Sequence, residues 1–188
     1  MLELLRDSLK DCPVVMKGSY PYFVHPLTDG VPMIASELLS EVAEEIARIA
    51  DTHVDKIITV EAMGIPIGTA LSLHTGIPLC IVRKRAYGLD GELCIEQRTG
   101  YSHSKLYING ISNNDRLLVV DDVISTGGTM SSLLSALDHI GADVKDVVVA
   151  FKKGKGLDNV EHETKRRIKY LLEVEVVDNS VVEVHTQC

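Results

Sequence analysis

The chain has 188 residues, an apolar fraction of 45% and a formal net charge of −8. This suits one domain with one sizeable core; the acidic balance argues against a broad nucleic-acid-binding face but leaves room for an anionic ligand held by local amides, a metal ion or a few basic residues. No run approaches the ~18 apolar residues of a membrane span, and the charges scattered through MLELLRDSLKDCP do not suit a secretory signal.

In chain order, Ile34, Leu38, Val42, Ala43, Ile46 and Ile49 recur at three- and four-residue steps, which predicts an amphipathic helix from Met33 to about Asp51 with Pro32 in its first turn. Lys56 to Val60 (KIITV) reads as a short buried strand, followed by EAMGIPIG and a helix of roughly ten residues. Pro78 to Val82 is the next strand and ends in Arg83, Lys84 and Arg85. Residues 86–103, rich in Gly, Tyr and polar residues, predict a long loop with a weak hairpin, and such loops are often active-site lids. A central strand over Arg116–Val120, a helix over Thr129–Ile140 and a strand over Val144–Phe151 follow. Tyr170 to Val184 predicts one or two strands with a turn at Asn179-Ser180. Strands alternating with helices in this way give a parallel sheet covered on both faces. Cys12, Cys80, Cys94 and Cys188 lack metal-type spacing, and Cys80 sits in an apolar strand, so reduced thiols in a cytosolic protein are expected.

The densest chemistry lies in VVDDVISTGGTM, residues 119–130. A strand without charge runs into Asp121 and Asp122, and a small-residue loop then opens a helix. In open α/β sheets, ligands sit beyond the carboxyl ends of the strands. Gly127 and Gly128 let the backbone curl with its N–H groups inward, Ser125, Thr126 and Thr129 add hydroxyls, and the helix N-terminus completes a phosphate cradle. The loop lacks the Lys of GxxxxGK[ST], so it is not a P-loop. Carboxylates beside a bound phosphate must face something else: the hydroxyls of a sugar attached to it, or a divalent cation. Together these features describe a ribose 5-phosphate site. The plainer reading, a strand end that caps the next helix, would suffice for one Asp but not for the pair with its loop.

This stretch resembles the phosphoribosyl pyrophosphate (PRPP) motif of type I phosphoribosyltransferases, and the resemblance extends over roughly residues 20–160, in a layout similar to the archaeal-type hypoxanthine/guanine enzymes. It implies one domain over residues 1–188: a five-stranded parallel sheet flanked by helices, core about 33–155, with a small hood from terminal segments at about 1–32 and 156–188. It implies that main-chain groups at Ala62, Met63 and Gly64 line a pyrophosphate pocket, Gly64 letting a phosphate approach closely. Arg83 and Lys84 would supply charge for that pyrophosphate, reaching a neighbouring subunit's site, and residues 86–105 would form a mobile loop. Asp121 and Asp122 would bind ribose hydroxyls, Asp122 with a general-base role. Mg²⁺ would be held mainly by substrate oxygens, with Asp121 or Asp122 as a ligand. The implied partners are PRPP and a purine base in a cytoplasmic homodimer, without nucleic acid or membrane.

For the base, the resemblance to 6-oxopurine enzymes of similar layout implies a lysine in the run VAFKKGKG that donates to the purine 6-carbonyl, Lys153 or, as the alternative, Lys152; an ammonium is donor-only and conflicts with the amino group of adenine. Phe151 is a candidate to stack on the base. The plain alternatives are a solvated basic turn for the lysines and core packing for Phe151, Tyr87, Tyr101 and Tyr107. None of the seven histidines has ligand spacing. The expected reaction is purine salvage: transfer of the phosphoribosyl group from PRPP to hypoxanthine or guanine. The competing readings are an adenine, xanthine or orotate phosphoribosyltransferase, and a non-catalytic PRPP- or purine-sensing regulator.

Overall fold

Strands that are apolar at every position suit a sheet covered on both faces, because alternate side chains then find a core on each side. The computed structural model describes residues 2–18, 20–99, 102–178 and 180–186; Tyr101, Asn179 and Cys188 fall outside them. A short helix α1 (Glu3–Asp7) precedes a two-stranded ribbon, β1 (Val14–Lys17) and β2 (Tyr20–Phe23), and a one-turn helix α2 (Pro26–Asp29). Then come α3 (Ser36–Ile49), β3 (Lys56–Val60), α4 (Gly64–Thr75) and β4 (Leu79–Val82). A hairpin of β5 (Leu93–Thr99) and β6 (Ser102–Ile108) leads to β7 (Arg116–Ile124), α5 (Gly128–Ile140), β8 (Asp143–Lys152), α6 (Gly156–Thr164), β9 (Lys169–Val177) and β10 (Ser180–Thr186).

The main sheet has the order β10-β9-β8-β7-β3-β4, parallel throughout except for β10. Its two faces divide the apolar residues by parity. Ile57, Leu118, Val120, Val148 and Ala150 pack with Leu5, Val42, Ile46, Ile67 and Leu71, from the side of α1, α3 and α4. Ile58, Leu117, Val119, Val147 and Val149 pack with Leu133, Leu137, Leu157, Leu106 and Ile108, from α5, α6 and the hairpin. Each fully buried Leu or Val contributes roughly 1.5–3 kcal/mol, so the run Leu117–Val120 anchors both cores at once.

Four expectations change. The first long helix starts at Ser36 with Ala35 as its cap, so Pro32 lies upstream of it. The strands β5 and β6 form a seven-residue antiparallel pairing rather than a weak hairpin, held because Ile95, Leu106 and Ile108 join the core beneath it. The central strand continues through Asp121 and Asp122 to Ile124, since Asp121, Val123 and Ile124 keep their pairing with β8. The C-terminal segment is not hood: β9 pairs in parallel with β8 and β10 closes the edge, because Leu171, Leu172 and Val174 are apolar enough to be buried in the sheet. Of the segments expected to form a hood, the N-terminal ribbon β1–β2 lies at the carboxyl end of β8, where Pro21 O accepts from Lys153.

Candidate active site

Because β3, β4, β7 and β8 run parallel, their carboxyl ends gather on one side, and the loops that follow them meet there. A cavity of about 230 Å³ opens at this point, lined by Ala62, Met63, Lys84, Asp121, Asp122 and every residue from Ser125 to Thr129. Residues spaced over more than sixty positions in the chain are thereby brought together. The cradle forms because Gly127 adopts a left-handed conformation, φ +83°, as N-cap of α5, with no side chain capping that helix end. A Cβ on Gly127 would meet Gly156 O and Val160 Cγ2, each at 2.6 Å, so this glycine is required sterically as well as conformationally. The loop after β8 fastens the cradle from below. Gly156 N–H donates to Ser125 O at 3.0 Å and Lys153 N–H to Ile124 O at 2.9 Å.

Asp121 and Asp122 are half-buried side by side, and Asp122 N–H donates to Asp121 Oδ1 at 3.0 Å. Burial pushes the Asp121 carboxyl up, against the attraction of Lys84, and burial together with the Asp121 charge pushes Asp122 well up. The pair is therefore prepared to exchange a proton for a cation or for hydroxyl donors. Among the described residues no group of three or more His, Cys, Asp or Glu could hold a metal ion. Two carboxylates still suit a Mg²⁺ that takes its remaining ligands from a substrate.

Lys84 lines the cavity of its own chain, not only a surface that a neighbour could use. Arg83 does not line it: its Nε donates to Glu61 Oε2, and its backbone pairs with Tyr107, which ties the hairpin to the rim. Gly64 has a further steric role. It is buried as the first residue of α4, and a Cβ there would meet Thr59 Oγ1 at 2.0 Å and Asp121 Oδ1 at 2.6 Å. It is needed for close packing inside the protein.

A smaller cavity of about 90 Å³ adjoins the first, sharing Val123 and Ser125 with it; Tyr20, Tyr22, Phe23, Thr28 and Lys153 complete its wall. Lys153 is only 9% exposed. Its Nζ donates to Pro21 O at 2.8 Å and lies 4.2 Å from the centre of the Tyr20 ring. Lys152 points elsewhere, into ion pairs with Glu173 at 3.2 Å and Asp158 at 3.3 Å. Strand alternation thus separates the two lysines that the sequence left open. Phe151 does not offer a face for stacking. It is 0% exposed, edge-on to His25 at 4.9 Å and to Phe23 at 6.0 Å, because its position on β8 turns it into the core.

The sequence reading missed Tyr20, whose hydroxyl lies 3.2 Å from Ser125 Oγ and so connects the hood to the cradle. No local pattern marks that residue; only the tertiary fold carries it across 105 positions.

The family model for the phosphoribosyl transferase domain matches residues 30–183. The hypoxanthine/guanine phosphoribosyltransferase of Methanothermococcus okinawensis is 51% identical over 96% of this chain and 99% of its own. Its counterpart in Methanocaldococcus infernus is 53% identical over 95% and 98%. Among solved structures, an adenine phosphoribosyltransferase from Thermoanaerobacter pseudethanolicus superposes with a TM-score of 0.76 at 21% identity, covering 92% of this chain and 99% of that one; at that identity the likeness concerns the fold alone.

Proposed function

The chain belongs to the phosphoribosyl transferase family, and from that premise we propose that it transfers the 5-phosphoribosyl group of PRPP to hypoxanthine or guanine, forming the nucleoside monophosphate and pyrophosphate. The observation that carries the choice of base is the buried ammonium of Lys153 in a cavity that shares Ser125 with the phosphate cradle. Donor-only, it suits a 6-carbonyl and leaves an amino group unpaired. The names of the relatives at about half identity agree with it.

The amides and hydroxyls of Ser125–Thr129 hold the 5-phosphate at the N-terminus of α5. Asp121 and Asp122 accept hydrogen bonds from the ribose hydroxyls. The main chain at Ala62 and Met63, with Lys84, faces the pyrophosphate, and Arg83 steadies that rim through Glu61. Positive charge builds on the sugar as its bond to pyrophosphate breaks, so the carboxylates also oppose it electrostatically. Asp122, its carboxyl driven up by burial and by Asp121, is suited to take the proton that the purine nitrogen releases. When bound, Mg²⁺ supplies charge against the leaving pyrophosphate. The fit rests on Asp121 and Asp122 as its protein ligands. The proposed setting is a cytoplasmic homodimer; no helix among the described residues is long and apolar enough to cross a membrane.

The test is pyrophosphate release from PRPP and Mg²⁺ with hypoxanthine, guanine, xanthine, adenine and orotate in parallel. Hypoxanthine or guanine is expected to turn over fastest, and Lys153→Ala to raise the KM for that base by about tenfold or more, with the PRPP KM little changed. Preference for adenine, or an unchanged base preference in Lys153→Ala, would overturn the assignment of the base contact. PRPP binding without turnover would favour a regulator.

A further inference from the structure

Two lysines stand in succession where β8 ends, and only Lys153 lines the proposed base cavity. Lys152 lines neither cavity. It is the last residue of β8, in register with Ile124 on β7 and Glu173 on β9. Its side chain is 13% exposed, although lysines are rarely buried unless paired. The ammonium lies 3.2 Å from Glu173 Oε1, 3.3 Å from Asp158 Oδ1 and 5.5 Å from the centre of the Tyr170 ring. Glu173 also accepts from the Tyr170 hydroxyl at 3.4 Å. The two carboxylates belong to different elements: Glu173 to the main sheet, and Asp158 to the first turn of α6. Buried ion pairs add little net stability, because desolvation offsets most of the attraction. What this pair of contacts fixes is direction, since it draws the start of α6 against the sheet.

We propose that Lys152 is a positioning residue for Lys153: its ion pairs with Glu173 and Asp158 clamp the turn from β8 into α6, which holds the neighbouring ammonium in place for the base. This rests on the reading of Lys153 as the base contact. The turn joins both halves of the site. Lys153 N–H donates to Ile124 O at 2.9 Å at its start, and Gly156 N–H donates to Ser125 O at 3.0 Å at its end. There it interlocks with the cradle, for a Cβ on Gly127 would meet Gly156 O at 2.6 Å. Between them Gly154 adopts φ +68°, a conformation open to glycine that leaves the turn little stiffness of its own. The clamp supplies that stiffness from outside. Methionine at 152 would fill a similar volume without pairing, whereas arginine would keep the charge.

The experiment compares wild type with Lys152→Met, Lys152→Arg and Asp158→Ala, by amide hydrogen exchange of the ligand-free protein and by turnover with the preferred base. Exchange at Lys153 N–H and Gly156 N–H is expected to quicken about tenfold in Lys152→Met and in Asp158→Ala. The amides of Leu117–Val120 should stay protected, and Lys152→Arg should restore most of the protection. In turnover, Lys152→Met should raise the KM for the base about fivefold with kcat little changed. Because it acts through Lys153, it should add nothing further in a Lys153→Ala background. A merely structural role would lower the thermal midpoint and the active fraction, hence kcat, and leave that KM alone. Unaltered exchange at both amides, or a KM effect that adds in full to that of Lys153→Ala, would overturn the inference. A wild-type protein inert with every base would sink the proposed function instead, and the exchange rates would still decide whether Lys152 holds the turn.

Discussion

Two neighbouring carboxyls, half-buried and facing one nearby ammonium, are a destabilising arrangement. Burial drives both Asp121 and Asp122 up, so the free protein stores unfavourable electrostatics that a ligand relieves. Asp122→Asn should therefore have two opposite effects. It removes the group suited to accept a proton, so kcat is expected to fall about 100-fold, with the KM for PRPP changed far less. It also removes a like charge beside Asp121, so the thermal midpoint of the free protein should rise. An Asp122→Asn enzyme with near-normal turnover would show that hydroxyl binding accounts for both acids. At this scale the sequence was informative where the chemistry is local. The acid pair and the cradle from Ser125 to Thr129 are contiguous, and one strand-to-helix junction delivers them all. It was uninformative where a side chain's direction decides. Phe151 and Lys153 lie two apart and both meet Phe23 of the ribbon, yet Phe151 is wholly in the core and Lys153 lines a cavity, a difference that only the packing of the ribbon reveals.

The elements that the sequence signalled clearly were those with a strong period or an uninterrupted apolar run: α3, β3 and the first half of β7. The N-terminal ribbon carried no such signal, since four-residue strands with half of their side chains exposed leave no alternation to read. Yet that ribbon positions Tyr20. The Tyr20 hydroxyl lies 3.2 Å from Ser125 Oγ, and the Lys153 ammonium donates to Pro21 O. The cradle and the proposed base cavity thus touch the same two-stranded element, with which substrates would compete. Removing only the hydroxyl, in Tyr20→Phe, should free Ser125 for the 5-phosphate and lower the Kd for PRPP by about fivefold, the worth of one neutral hydrogen bond. Isothermal titration at fixed Mg²⁺ measures it. A weaker affinity would instead mean that Tyr20 holds the loop in its binding shape. The C-terminal strands misled the sequence reading for a related reason: an apolar run such as Tyr170–Val174 is equally compatible with a hood or with a sheet edge until the pairing with β8 is seen.

At the scale of the whole molecule, the hood is fastened to the core through His25. The side chain is 0% exposed; its Nδ1 accepts from Leu27 N–H at 3.0 Å, which leaves Nε2 to donate to Ser8 Oγ at 2.8 Å, and Ser8 in turn donates to Leu5 O. The ring also packs edge-on to Phe151 at the end of β8. One neutral imidazole thus joins the residues just past α1, the ribbon and the main sheet, and Arg6 extends the connection to Glu183 on β10 at 2.9 Å. Burial lowers its pKa from 6.5 to about 4, outweighing the opposite pull of Asp29. Between those values the unfolded chain binds a proton that the folded one refuses, so this contribution is complete above pH 6.5 and is lost as the pH falls toward 4. Fully expressed, it amounts to about 3 kcal/mol. The acid pair acts in the reverse sense across an overlapping range. Its raised carboxyls keep protons that the unfolded chain releases, so its contribution declines as pH rises, and the total stability can look almost flat. The difference between wild type and His25→Gln in urea unfolding removes the shared part. That difference should grow by about 3 kcal/mol from pH 4 to 6.5 and then level off. A difference independent of pH would mean that His25 does not hold the hood as a neutral ring.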